Sequence, residues 1–232
     1  MFDEPYSMQF KDRTDAGRQL ARRLMLYRDE NPVVLALPRG GVPVGFEIAQ
    51  ALDAPLDVVA VRKIGAPLQP ELGVGAVVDG VSPEVVLDQR IMREIGVTEY
   101  DLREQIDMEL AEIRRRETLY RGDRPPPRVR DCTVIVVDDG IATGSSVRAV
   151  LRALRRADPR RIVLAVPVGP PESIESLRPE ADEVVCLVQP PWFRAVGQFY
   201  ESFEQLEDRE VIELLTKANM QRPAARVQEI GV

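Results

Sequence analysis

Histidine is absent from this 232-residue chain. Without an imidazole, Ser-His-Asp and Cys-His nucleophilic systems, histidine general bases and histidine-containing zinc sites are all excluded. Proton transfer must fall to Asp, Glu, Tyr, Lys or Cys. Cysteine is scarce: Cys132 and Cys186 stand in apolar, strand-like runs and read as buried thiols rather than a disulfide framework. No uninterrupted apolar run is long enough to span a bilayer, and the first residues, MFDEPYS, lack the basic and apolar regions of a secretory leader. A cytoplasmic location away from membranes is expected. Basic charge is not in excess either. The net charge of −7 argues against nucleic acid as the main partner. The clusters Arg114 to Arg116 and Arg155 to Arg156 read as solvated helix surface.

What is present suits one globular domain over residues 1–232, with enough chain for a substantial core. Thr14 is the expected N-cap of a helix from Asp15 to about Tyr27. Strand 33–37, the loop Pro38 to Gly41, a helix to about Leu52 and strand 57–61 form a parallel α/β unit. Residues Arg62 to Gly75 contain several Gly and Pro and little periodicity, which predicts a mobile loop. Two short runs, 75–78 and 84–87, predict a small antiparallel excursion. From Thr98 to Tyr120 the pattern is helical, with Leu102, Ile106, Leu110 and Ile113 on one stripe that faces either the core or a second subunit. Strand 132–138, a helix to about Ala157 and strand 161–167 make a second α/β unit. A last core strand spans 183–188, and a final helix runs from Asp208 to about Asn219.

The most informative stretch is Val134 to Ser146, VIVVDDGIATGSS. Four β-branched residues deliver Asp138 and Asp139 to the C-terminal end of a buried strand, where open α/β sheets bind ligands. A loop of small and hydroxyl residues then opens a helix, an arrangement that turns several N–H groups towards one anion. Acids beside an anion cradle suit a sugar phosphate. Two other phosphate motifs are excluded: Gly140 to Ser145 lacks the lysine of a Walker loop, and Val42 stands where a dinucleotide fingerprint starting at Gly40 needs a second glycine.

This stretch resembles the signature of the type I phosphoribosyltransferases. The resemblance implies that family's fold: a mainly parallel central sheet flanked by helices, a hood from about 1–28 and 189–232, and here a helical insertion at about 90–125. It implies transfer of ribose 5-phosphate from 5-phosphoribosyl-1-pyrophosphate (PRPP) to a nitrogen acceptor such as a nucleobase, with release of pyrophosphate. Asp138 and Asp139 would accept hydrogen bonds from the ribose hydroxyls and place negative charge near C1, where positive charge develops. Gly140, Ala142, Thr143, Gly144, Ser145 and Ser146 would hold the 5-phosphate. The loop Pro38 to Gly41 resembles the family's pyrophosphate loop, which often carries a strained peptide bond, with Arg39, Gly40 and Gly41 as its binding residues. Mg²⁺ is the implied cofactor, held through substrate and water near Asp138 and Asp139 with no direct protein ligand.

Arg62, Lys63 and the segment to Gly75 resemble the family's flexible loop, which shields the reacting centre from water. Lys63 would neutralise pyrophosphate, with Arg62 assisting or facing solvent. Enzymes of the hypoxanthine-guanine type carry a third acid just before Thr-Gly. This chain has Ala142 there, as adenine phosphoribosyltransferases do, and the loop residue Glu71 is then either the implied proton handler or a solvent-exposed loop carboxylate. Residues Trp192 to Tyr200 resemble the base-binding hood strand of the hypoxanthine-guanine enzymes, although the stacking aromatic of those enzymes falls on Arg194 here. Trp192 or Phe193 would stack on a planar acceptor or fill the hood's own core. The family often forms dimers, so a homodimer is a further expectation. The competing readings are a non-enzymatic PRPP sensor on the same fold and a hydrolase using water as acceptor.

Overall fold

A computed structural model describes residues 10–67, 69–79, 83–122 and 124–220, apart from the side chains of Glu71 and Glu84. Its centre is a five-stranded parallel sheet in the order β2-β1-β6-β7-β8. The strands are β1 (Val33–Ala36), β2 (Leu56–Val58), β6 (Thr133–Val137), β7 (Arg161–Val168) and β8 (Glu183–Val188). Every residue of β1 and β6 is buried. That is why β1 reads as an unbroken apolar run and β6 as an unbroken β-branched one: both faces are covered and alternation disappears.

One face carries Val34, Ala36, Ile135, Val137, Val163 and Ala165. It packs under α1 (Arg13–Leu24), α2 (Gly41–Leu52) and α7 (Asp208–Met220). The opposite face, with Val134, Val136, Ile162 and Leu164, is covered by α5 (Ser145–Arg156) and by part of α6 (Pro171–Leu177). Asp12, not Thr14, caps α1, its carboxylate accepting from the Asp15 amide. Thr14 lies inside the helix because the preceding aspartate satisfies the orphan donor first. Asp208 belongs to the first turn of its helix, where it accepts a hydrogen bond from the Tyr120 hydroxyl.

The segment Arg62 to Gly75 is a hairpin rather than an irregular loop. Strands β3 (Val61–Ala66) and β4 (Gln69–Val78) pair antiparallel, and β5 (Glu84–Leu87) joins β4 to make a separate three-stranded sheet. Register shifts beside Gly65 break the alternation that would have betrayed a strand. Ile64, Val74 and Val77 are buried against Met92 of α3 (Gln89–Ile95) and against Leu102 and Ile113 of α4 (Glu99–Arg121). The apolar stripe of α4 therefore faces this sheet, with Ile106 and Leu110 partly buried beside it. The solvated arginines of α4 and α5 lie at the surface as expected, with Arg116 half-buried.

Above the main sheet, Phe10, Ala16, Val168, Val188, Phe199 and Tyr200 form a small separate core. Backbone bonds from Phe10 to Phe199 and from Glu201 to Phe10 tie the chain's beginning to this cap. The rest of α1, and α7, pack on the main sheet rather than in the cap. Residues 1–9 and 221–232 of the expected hood lie outside the described residues. Cys132 and Cys186 are free but only half-buried, and burial pushes the Cys186 thiol up to about 12.

Candidate active site

Chain direction places the site. From β1 the connection runs outward to β2, whereas β6 continues the other way to β7 and β8. The sheet thus has its switch point between β1 and β6, and the crevice beyond their C-terminal ends is where such sheets bind ligands. Leu37 donates its amide to the Val137 carbonyl at 2.8 Å, so the segments that follow the two strands leave side by side. One carries Pro38, Arg39 and Gly40; the other carries Asp138 and Asp139. The Pro38-Arg39 peptide bond is cis.

The two acids differ in their partners. Asp138 folds back so that its Oδ1 accepts the Asp139 amide at 2.9 Å. Asp139 receives the Arg13 Nε on its Oδ2 at 2.7 Å, and the Tyr200 hydroxyl donates to its carbonyl at 2.6 Å. Burial, and then the neighbouring Asp139 charge, push the Asp138 carboxyl well above its ordinary range. Burial raises Asp139 too, and the Arg13 guanidinium partly offsets it. Gly40 lies flat on the second acid: a Cβ there would stand 1.9 Å from Asp139 Oδ2. Only a residue without a side chain permits this approach.

The hydroxyl loop leads from Gly140 to the start of α5. Gly144 has φ 73°, the left-handed conformation that favours glycine, and no side chain caps the helix behind it. The first amides of a twelve-residue helix are therefore left for an outside acceptor. Thr143 and Ser145 are exposed with their hydroxyls 3.3 Å apart, and Ser146 is half-buried beside them. The Ser173 hydroxyl fixes the loop from below by donating to the Ala142 carbonyl at 2.6 Å.

Between the two strand ends and the cap lies a cavity of about 330 Å³. Arg13, Arg39, Gly40, Asp139 and residues 203–206 line it. Of the residues picked from sequence, this joins Arg39, Gly40 and Asp139 in one wall. Arg62 is turned away, its Nε donating to Glu109 of α4 at 2.7 Å. Lys63 is exposed. Glu71 falls in β4, and its side chain lies outside the described part of the structure. Trp192 is 85% exposed, while Phe193 stacks on Phe199 at 5.5 Å as part of the cap core, so neither lines the cavity.

Sequence reading missed Arg13 and Phe203. The Arg13 guanidinium carbon sits 3.8 Å from the centre of the Phe203 ring. The expected helix begins at Asp15, which leaves Arg13 outside it; in the fold Arg13 opens the helix, where the dipole disfavours a cation, and it finds its acidic partner across the site.

An open parallel sheet with paired acids, a hydroxyl-rich helix entry and a glycine-lined loop at its switch point is the architecture of the type I phosphoribosyltransferase fold. The family model of the phosphoribosyl transferase domain matches residues 9–204, and the chain belongs to that family. It is 44% identical over 211 residues to a Mycobacterium tuberculosis H37Rv protein named "Putative phosphoribosyl transferase Rv0571c". That match covers 90% of this chain but 47% of the relative, so the chain spans about half the relative's length. The crystal structure of TT1426 from Thermus thermophilus is 42% identical and superposes with a TM-score of 0.81, covering 90% of this chain and 98% of that one. Among the described residues, no helix is long and apolar enough to cross a membrane.

Proposed function

We propose that the protein transfers ribose 5-phosphate from PRPP to a nitrogen acceptor, most simply a nucleobase, in the cytoplasm. The carrying observation is the meeting of Arg39 and Gly40 with Asp139 in one cavity, with the uncapped N-terminus of α5 following Asp139 along the chain. The helix amides with Thr143, Ser145 and Ser146 would take the 5-phosphate. Asp138 and Asp139 would accept the ribose hydroxyls. Arg39 and the Gly40 backbone would take the pyrophosphate, with Lys63 reaching it from the hairpin. The acceptor nitrogen then bonds to C1 as the C1–oxygen bond breaks. The bonding pair leaves with pyrophosphate, and the nitrogen's proton passes to a carboxylate, for which Glu71 is the proposed group.

Two adjacent acids suit a cation held chiefly on the donor's oxygens and reached from the protein through water. When bound, Mg²⁺ would neutralise pyrophosphate charge, and Asp138 and Asp139 would orient its water shell.

The protein incubated with Mg²⁺, PRPP and a nucleobase panel should release pyrophosphate together with one new nucleotide, both read by mass spectrometry. Binding without turnover across the panel would assign the sensor instead, and pyrophosphate release without any added base would assign the hydrolase.

The proposal extends to self-association. The outer face of α4 exposes Tyr100, Glu104, Asp107, Met108 and Ala111 along a shallow groove. Six acids fall among residues 99–112, and the three arginines Arg114 to Arg116 follow them. Two copies of α4 packed antiparallel about Ala111 would set acidic half against basic half, with Asp107 facing Arg115 of the partner subunit.

A further inference from the structure

Arg13 is held from three sides. Its Nε donates to Asp139 Oδ2 at 2.7 Å, and its Nη1 donates to the Glu204 carbonyl at 2.9 Å. Its guanidinium lies over Phe203 at 3.8 Å. Phe203 is fixed in turn: it stands 5.0 Å from the Tyr200 ring, and a Cβ on Gly197 would meet its Cδ1 at 2.7 Å. Tyr200 closes the circuit through the Asp139 carbonyl, and on its far side the Asp139 carboxylate abuts Gly40. A continuous path of contact therefore runs from the cap through Phe203 and Arg13 to the second acid and the pyrophosphate loop.

Helix stability does not account for this arrangement. Arg13 opens α1, where a cation opposes the helix dipole. With side chains 12% and 14% exposed, the Arg13–Asp139 pair is largely out of water, and such pairs bring little net stability relative to apolar packing. The beneficiary is the acid. We infer that Arg13, backed by Phe203, is a positioning residue that holds the Asp139 carboxylate turned to Gly40 and ready for the donor's ribose. This rests on the PRPP reading above.

Several charged or titratable groups bear on Asp139: Asp138 beside it on the β6 loop, Arg13 from α1, Tyr200 from the cap, and Arg39 and Glu204 in the shared cavity. Arg13 pulls the Asp139 carboxyl down against burial, so its loss raises the pair's titration. More of the acid is then protonated at neutral pH, and a protonated carboxyl is the weaker acceptor for ribose hydroxyls.

The test is calorimetric titration of Mg²⁺-PRPP into wild type, Arg13→Gln, Arg13→Lys and Phe203→Leu between pH 5.5 and 9. Carboxyl-carbon NMR titration of the same proteins without ligand runs beside it. Arg13→Gln should bind PRPP about 10- to 100-fold more weakly at pH 7, the scale of losing one charged partner in a buried site. Its acid limb should move to higher pH, so the loss shrinks at pH 9. Arg13→Lys should recover most of the affinity, and Phe203→Leu should shift the limb the same way by less. In the NMR arm, Asp139 should titrate higher in Arg13→Gln than in wild type.

A folded Arg13→Gln protein with wild-type affinity and acid limb would overturn the inference. So would an equal loss at every pH without rescue by lysine, which is a purely structural effect. Should Arg13→Gln not fold, Arg13→Lys and Phe203→Leu carry the same comparison. If wild type binds no PRPP, the donor reading fails, and the NMR arm still decides whether Arg13 sets the state of Asp139.

Discussion

Gly40 and Asp139 touch. A β-carbon on Gly40 would lie 1.9 Å from the Asp139 carboxylate, so the loop after β1 and the acid after β6 are packed as one surface. Gly40→Ala must push one of them away. The expected outcome is a stability loss of about 1–3 kcal/mol, as for overpacked sites, with PRPP affinity falling at least about tenfold because loop and acid are displaced together. Thermal melting and calorimetry separate the two effects. Unchanged affinity would mean that the contact has no part in the site.

The acid pair sets a pH dependence. Asp138 is held well above its ordinary range, first by burial and then by Asp139. The charged form accepts ribose hydroxyls best, so PRPP affinity should rise with pH as the pair loses its proton. Stability runs the opposite way: a carboxyl raised in the folded state contributes stability below its unfolded value and loses that contribution as pH climbs through the folded one. Asp138→Asn should bind PRPP more weakly at alkaline pH and with a flatter pH profile. Calorimetry at pH 5.5, 7 and 9 reads both.

A buried charge cluster ties α4 to the two sheets. Arg121 Nε meets Asp57 at 2.8 Å, its Nη2 meets Asp79 at 3.2 Å, and all three side chains are buried. Burial, together with the neighbouring Glu117 carboxyl, pushes Asp79 up to about 8 against the pull of Arg121. Arg121→Ala, which strands two buried acids, should cost about 3–5 kcal/mol of stability by denaturant unfolding. Asp79 contributes stability that is fully present below its unfolded value and lost as pH rises through about 8. The melting temperature of Asp79→Asn should therefore gain on wild type between pH 6 and pH 9.

Self-association through α4 has a charge test. Asp107→Arg should weaken the dimer in sedimentation at low salt, as should Arg115→Asp, and the double reversal should restore it. Wild type that stays monomeric at about 100 μM, a concentration that would populate an interface of even about −6 kcal/mol, contradicts the proposed face.

Much of this was legible in the sequence because the relevant residues are contiguous. VIVVDDGIATGSS carries strand, acids and helix entry in one run, and an unbroken β-branched strand announces a sheet covered on both faces. The hairpin of β3 and β4 was hidden by Gly65 and its register shifts, which break the period that marks a strand. Arg13 and Phe203 escaped notice for another reason. Arg13 lies 126 residues from its acid, and no local pattern encodes a pair formed by tertiary packing. For Trp192 and Phe193 the sequence leaves two readings, a stacking platform or hood core, because an aromatic near a Val-Gly pair suits both; Phe193 packs in the cap core, while Trp192 is outside the cavity lining. In the fold Trp192 faces solvent, and on the cap side Phe203 to Leu206 line the cavity.

The most direct measurement is the binding of PRPP itself. Titrated calorimetrically into the wild-type protein with Mg²⁺ at pH 8, PRPP should bind with one site per chain and raise the melting temperature. Asp139→Asn should bind at least about tenfold more weakly, the cost of losing a charged acceptor in a buried site. If PRPP neither binds nor protects the wild-type protein against unfolding, the assignment of this cavity to a phosphoribosyl donor is wrong.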